Sequence, residues 1–78
     1  MNNKTLILIL AEDLQQAIFI ANKNKLEQEG WKFISDDHSI QKFNDYELWL
    51  YGAYEHRKDY LEIIEYTLAH GCEVRQKI

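Results

Sequence analysis

Apolar positions recur with two different periods along this chain. Thr5 to Leu10 is an unbroken, β-favouring run between polar Asn2-Asn3-Lys4 and acidic Glu12-Asp13, which predicts a strand buried on both faces. Over residues 12–29 the spacing becomes helical. Leu14, Ala17, Ile18 and Ala21 form a stripe at i, i+3, i+4 and i+7, with Ile20 beside it. Gly30 stands where a glycine just past a helix end is expected. Trp31 to Ser35 alternates as a half-exposed strand does. Turn-forming Asp36-Asp37-His38-Ser39 follows, and residues 39–43 suit one short helical turn. Tyr46 to Tyr51 reads as a third strand, with Leu48 and Leu50 on one side, Trp49 and Tyr51 on the other, and Gly52 ending it. A second helix is predicted over 55–70, with Tyr60, Leu61, Ile64 and Leu68 on its inner face and Asp59, Glu62 and Glu65 outside. Gly71 would follow its end. The tail, 73–78, alternates again: Val74 and Ile78 inward, charged Glu73, Arg75 and Lys77 outward, as suits an edge strand.

Strands alternating with helices imply α/β architecture and a mostly parallel sheet. Right-handed crossovers put one helix on each face, and the most apolar strand belongs inside. The expectation is a single domain over residues 1–78: a small Rossmann-like β-α-β-β-α-β unit of three to four strands ordered 2-1-3-4.

Composition narrows the classes. With 46% hydrophobic and 13% aromatic residues, no proline and three glycines, the chain is too apolar for disorder. Cys72 alone cannot form an internal disulfide or a cysteine-rich zinc site. Nine basic against 13 acidic side chains give a net charge of −4, spread over both halves, so direct nucleic-acid binding is not expected. The run Leu6 to Leu10 is too short for a signal peptide core or a membrane span. A reducing, cytoplasmic compartment without membrane attachment is the expectation.

In open α/β sheets ligands sit beyond the carboxyl ends of the strands, where neighbouring connections diverge. Here those ends carry Glu12 and Asp13, then Asp36, Asp37 and His38, then Tyr54, Glu55, His56 and Arg57. The first turn, Leu10-Ala11-Glu12-Asp13-Leu14, has no glycine, and its carboxylates repel phosphate, which argues against a nucleotide. The acidic residues could gather a divalent cation. Helix capping by Glu12 and Asp13, and turn formation by Asp36 and Asp37, is the stronger reading, so no metal or cofactor is expected. His38 and His56 fall in loop or helix-start positions without a catalytic arrangement, and no catalytic residue is assigned. Surplus aromatics (Tyr46, Trp49, Tyr51, Tyr54 and Trp31) beside charges suit a protein-binding patch. Phe19 and Leu26, seven apart and off the main stripe, suggest a self-association surface.

The segments Leu6 to Glu12, Gly30-Trp31-Lys32-Phe33-Ile34-Ser35 and Tyr46 to Gly52, with the helix after them, resemble small orphan proteins of bacteriophages and mobile elements that carry a truncated Rossmann-like unit. Some proteins of that kind inhibit bacterial defence systems, anti-CRISPR proteins among them. The resemblance implies a small acidic inhibitor in the host cytoplasm that binds a bacterial defence or nucleic-acid-handling protein, and the missing catalytic arrangement adds the expectation that it is not an enzyme. Two alternatives stay open: a small-ligand or divalent-metal-binding domain using the strand-end crevice, and a structural homodimer.

Overall fold

A computed structural model describes residues 5–36 and 39–77. Four strands, β1 (Leu6–Leu10), β2 (Trp31–Phe33), β3 (Tyr46–Leu50) and β4 (Glu73–Gln76), form one sheet in the order β2-β1-β3-β4. Every pairing is parallel, with Ile7 opposite Trp31, Leu8 opposite Leu48 and Leu48 opposite Val74. Helix α1 (Leu14–Lys23) lies against one face and α2 (Tyr60–Ala69) against the other. The expected α/β arrangement and strand order are present. The sequence-based edge strand is β4; the inward position assigned to Ile78 lies outside the described residues.

The central position of β1 explains its composition. Paired on both sides and covered on both faces, Leu8, Ile9, Leu10 and Ala11 are wholly buried. Its even-numbered residues join Tyr46, Leu48, Leu50, Ile34, Ile40 and α2's Ile63 in one core layer. Its odd-numbered residues join Trp49, with Ala17, Ile20 and Ala21 of α1, in the other. The two sides read from β3 correspond to these layers.

Both helices are shorter than their hydrophobic pattern suggested, and both are rotated. The buried face of α1 is Ala17, Ile20 and Ala21, whereas Leu14 and Ile18 from the expected stripe face solvent. Two alanines at i and i+4 let the helix axis approach the sheet, and Leu14 and Ile18 become its flank. The helix also ends well before Gly30. Lys25 adopts a left-handed conformation with φ 57°, its N–H donates to the Asn22 carbonyl, and Leu26 N–H donates to the Ala21 carbonyl. That is a Schellman closure with lysine in place of the usual glycine. It turns Leu26 inward against the α1-side core, so Leu26 and Phe19 do not share a helix face. Gly30 instead ends a 3-10 turn, Gln28–Gly30, leading into β2.

In the second half, a 3-10 turn at Tyr54–His56 precedes α2, which begins only at Tyr60. Ile63 and Thr67 are buried, while Leu61 and Leu68, expected inside, are 57% and 59% exposed. The inner position of Thr67 follows from its partners. Its hydroxyl donates to the Ile63 carbonyl at 2.9 Å, leaving the oxygen to accept from the buried Tyr46 hydroxyl, also at 2.9 Å. Gly71, with φ 73°, closes α2 in a second Schellman motif, in which Gly71 and Cys72 N–H donate to the Leu68 and Thr67 carbonyls. The 3-10 turn at Ser39–Lys42 was anticipated, and it brings Ile40 into the core.

Two predictions follow from this packing. Tyr46→Phe removes a donor from a site where Thr67 stays bonded to Ile63, and should cost about 0.5–1.5 kcal/mol. Thr67→Val strands the buried phenol and should cost more, about 1–3 kcal/mol, while the double variant should recover part of that loss, all measured by urea unfolding. Burial also pushes the Tyr46 phenol above its ordinary 10.0. Because the unfolded chain then loses the proton first, this contribution to stability is intact below about pH 10 and falls as pH rises further; Tyr46→Phe should flatten that decline. Secondly, Lys25→Gly relieves a left-handed non-glycine residue and should raise stability by about 0.5–1 kcal/mol in the same assay.

Candidate functional site

The connections of β1 and β3 leave the sheet in opposite directions, and the space between their carboxyl ends is the place where this topology offers a ligand site. It is filled here by the protein's own side chains. Asp13 caps α1 by accepting the Gln16 N–H at 3.0 Å. Gln16 reaches back across the gap, and its carboxamide oxygen accepts from Glu12 N–H at 3.2 Å and from Ala53 N–H at 3.1 Å. One neutral oxygen thus occupies a pair of backbone donors, one from each diverging connection. Gly52 makes this contact possible: it has φ 66°, and a Cβ there would collide with the Gln16 carboxamide.

Beside this plug lies Arg57. Its side chain is only 10% exposed and grips three elements together. One terminal nitrogen donates to the Ala11 carbonyl at 3.2 Å, past the end of β1, and to the Ile34 carbonyl at 2.5 Å, past the end of β2. The rest of the guanidinium forms a two-pronged pair with Asp59, at 3.0 and 2.9 Å, at the head of α2. The Phe33 ring lies 5.7 Å from its central carbon. Arg57, read from the sequence as a ligand or partner contact, is therefore spent on internal bonds.

The other residues expected at the strand ends scatter around this closed centre. Glu12 and His56 approach each other, with the imidazole Nδ1 3.3 Å from a Glu12 oxygen, and both are well exposed. Tyr54 sits half-buried, edge-on to Tyr60 with ring centres 5.9 Å apart; burial first, then the Glu55 charge, holds its phenol above the ordinary value. Glu55 is exposed. Asp36 accepts from the Ser39 N–H at 2.8 Å and from its hydroxyl at 2.9 Å, which makes it a turn and cap residue. Asp37 and His38 lie outside the described residues. Among the described residues no group of three or more His, Cys, Asp or Glu side chains is close enough to share a metal ion. Cys72 is half-buried at the far end of the sheet, where its thiol contacts the Asn44 carbonyl at 3.7 Å.

What remains open is shallow. A depression of about 320 Å³ lies between α1 and the end of β3, lined by Asp13, Gln15, Gln16, Phe19, Tyr51 and Gly52. Phe19 is 56% exposed and stacks on Tyr51 with ring centres 6.0 Å apart. On the opposite face, Leu61 and Leu68, seven residues apart, lie on the solvent side of α2, while Ile64 between them is half-buried against the core. Sequence reasoning placed these leucines in the core and so missed this exposed row. It also missed Gln16, although Asp13-Leu14-Gln15-Gln16 has the spacing of a capping box. No helix among the described residues is long and apolar enough to cross a membrane.

Compared with known proteins, the chain matches no protein family, no curated protein and no solved structure.

The Arg57 arrangement can be tested directly. Arg57→Ala leaves two inward carbonyls and the Asp59 carboxylate without their partner and should cost about 3 kcal/mol in urea unfolding. Arg57→Lys should recover only a minor part, since an ammonium cannot bond Asp59 in a fork and reach both carbonyls at once. Full recovery by lysine would show that only the charge matters.

Proposed function

We propose that the chain is a non-enzymatic protein-binding module whose contact surface is the solvent side of α2. The observation that carries this reading is the exposed pair Leu61 and Leu68, with half-buried Ile64 between them. Two leucines more than half exposed, at helical spacing, sit on a helix that had buried alternatives for its inner face. Glu62 and Glu65 flank them, and the helix carries no lysine or arginine. An apolar row edged by carboxylates is complementary to an apolar groove rimmed by lysine and arginine, with the charges steering encounter and the leucines supplying contact area. The filled strand-end crevice points the same way: a small ligand would first have to displace the Gln16 oxygen from its two backbone donors.

The overall charge of −4 fits a partner with a basic surface, such as a protein that handles nucleic acid. In the setting implied by the resemblance to phage orphan proteins, the module acts as an inhibitor, of the kind that includes anti-CRISPR proteins. It would work in the host cytoplasm by occupying the basic surface of a bacterial defence or nucleic-acid-handling protein.

The test is capture from bacterial lysate with mass-spectrometric identification, comparing the wild type with three folded variants. Leu61→Ser/Leu68→Ser and Glu62→Lys/Glu65→Lys should each reduce recovery of a stoichiometric partner at least tenfold, with unchanged circular dichroism. Charge reversal at Asp36, Asp37 and Glu55 asks whether the acidic strand-end rim contributes as well. A partner held equally by the two α2 variants but lost on reversing the rim would move the surface to the strand ends. Retention by all three variants would overturn the acidic-surface reading.

A further inference from the structure

The α1 face differs from the α2 face in one respect that fixes what can cover it. From Leu14 to Asn22 the helix has no charged residue, and its solvent side presents Leu14 at 50%, Ile18 at 40% and Phe19 at 56% exposure, beside Gln15 and Asn22. Charges stand only at the two ends and have opposite sign: Glu12 and Asp13 before the helix, Lys23 and Lys25 at its close. A surface of this kind is complementary to itself when turned end for end.

We propose that two copies of the chain associate through the outer faces of α1, packed antiparallel about a two-fold axis near Ile18. Ile18 and Phe19 of each copy then cover those of the other, with Gln15 facing the Asn22 end of the second helix. The acidic start of each helix lies beside the basic close of its mate, at the 8–10 Å axial separation usual for packed helices. The depression lined by Asp13, Phe19 and Tyr51 sits at this acidic start, where a carboxylate and two aromatic rings suit the lysine end of the second copy. Parallel packing would place like charges together at both ends. Self-pairing through α2 would bring Glu62 and Glu65 against their own copies with no cation on that helix. A second copy therefore fits α1, and a different, basic protein fits α2. The dimer proposal stands independently of the protein-binding reading.

Sedimentation equilibrium over a micromolar to millimolar range provides the test. The average mass should rise from 9.4 kDa toward twice that value. Ile18→Ser/Phe19→Ser, at exposed positions, should weaken association at least tenfold with an unchanged circular dichroism spectrum, whereas Leu61→Ser/Leu68→Ser should leave it unaltered. Glu12→Lys or Lys25→Glu alone should each weaken it about threefold, and the two together should restore it, because the exchanged charges meet again across the antiparallel pair. A chain that stays at 9.4 kDa throughout, or a dimer indifferent to the Ile18/Phe19 variant, overturns the proposal. Failure of the charge exchange to restore association overturns the antiparallel arrangement.

Discussion

A guanidinium ion held under the carboxyl end of the sheet is the constraint around which the rest of this domain is arranged. Arg57 is almost out of water, and a cation there is tolerable only if its donors are met. They are met by carbonyls beyond β1 and β2 and by the carboxylate that stands before α2. The chain must therefore pass from β3 through a 3-10 turn to bring Arg57 beneath the other strands before α2 can begin. The late start of that helix and the convergence of the Ala11 and Ile34 carbonyls accompany this one buried charge, which closes one side of the crevice.

Gln16 completes the closure from the other side. A Rossmann-like topology offers backbone donors at its switch point, and here a neutral side-chain oxygen takes them. The exposed features are consequently displaced onto the helices. On the α1 side, Lys77 lies over the Trp49 ring, its nitrogen 4.1 Å from the ring centre, so an aliphatic stem and an ammonium cover the part of the sheet near β4. Arg75 ties β4 to β3 through Glu47 and pairs with Glu73 at 3.1 Å. That edge is thus lined by charges, whereas the two helices carry the exposed leucines, isoleucine and phenylalanine.

Much of the architecture was legible in the sequence, because a run such as Leu6 to Leu10 has only one comfortable place, the middle of a covered sheet. Strand order then follows from crossover handedness. The helix faces were not legible by the same rule. Counting apolar positions puts Leu14 and Ile18 in one stripe with Ala17 and Ala21, and Leu61 with Leu68. Of the first set the structure buries only the alanines, which permit close approach, and on α2 it buries Thr67, whose polarity is cancelled by Tyr46 and Ile63. Periodicity reports where apolar side chains recur, but not which small or hydrogen-bonded residues let two layers meet. The end of α1 was misplaced because the left-handed position is held by Lys25, while Gly30, the obvious stop, serves a later turn. At the strand ends the capping task of Asp13 and the turn task of Asp36 were legible, and that of Arg57 was not: nothing in Arg57-Lys58-Asp59 announces that the arginine reaches carbonyls contributed by residues 11 and 34.

The all-parallel ladder has a consequence in time as well as in space. Ile7 pairs with Trp31, Leu6 with Tyr46 and Glu47 with Glu73, so no two neighbouring strands can zip together through a short turn. Each pairing closes a long loop before any contact repays the lost chain entropy, and domains built in this way fold slowly for their size. During synthesis β1, the most apolar segment among the described residues, emerges before both of its neighbours and must wait for them. The acidic and amide-rich residues that follow it, Glu12 to Gln16, then flank that strand through the interval in which it is most able to aggregate.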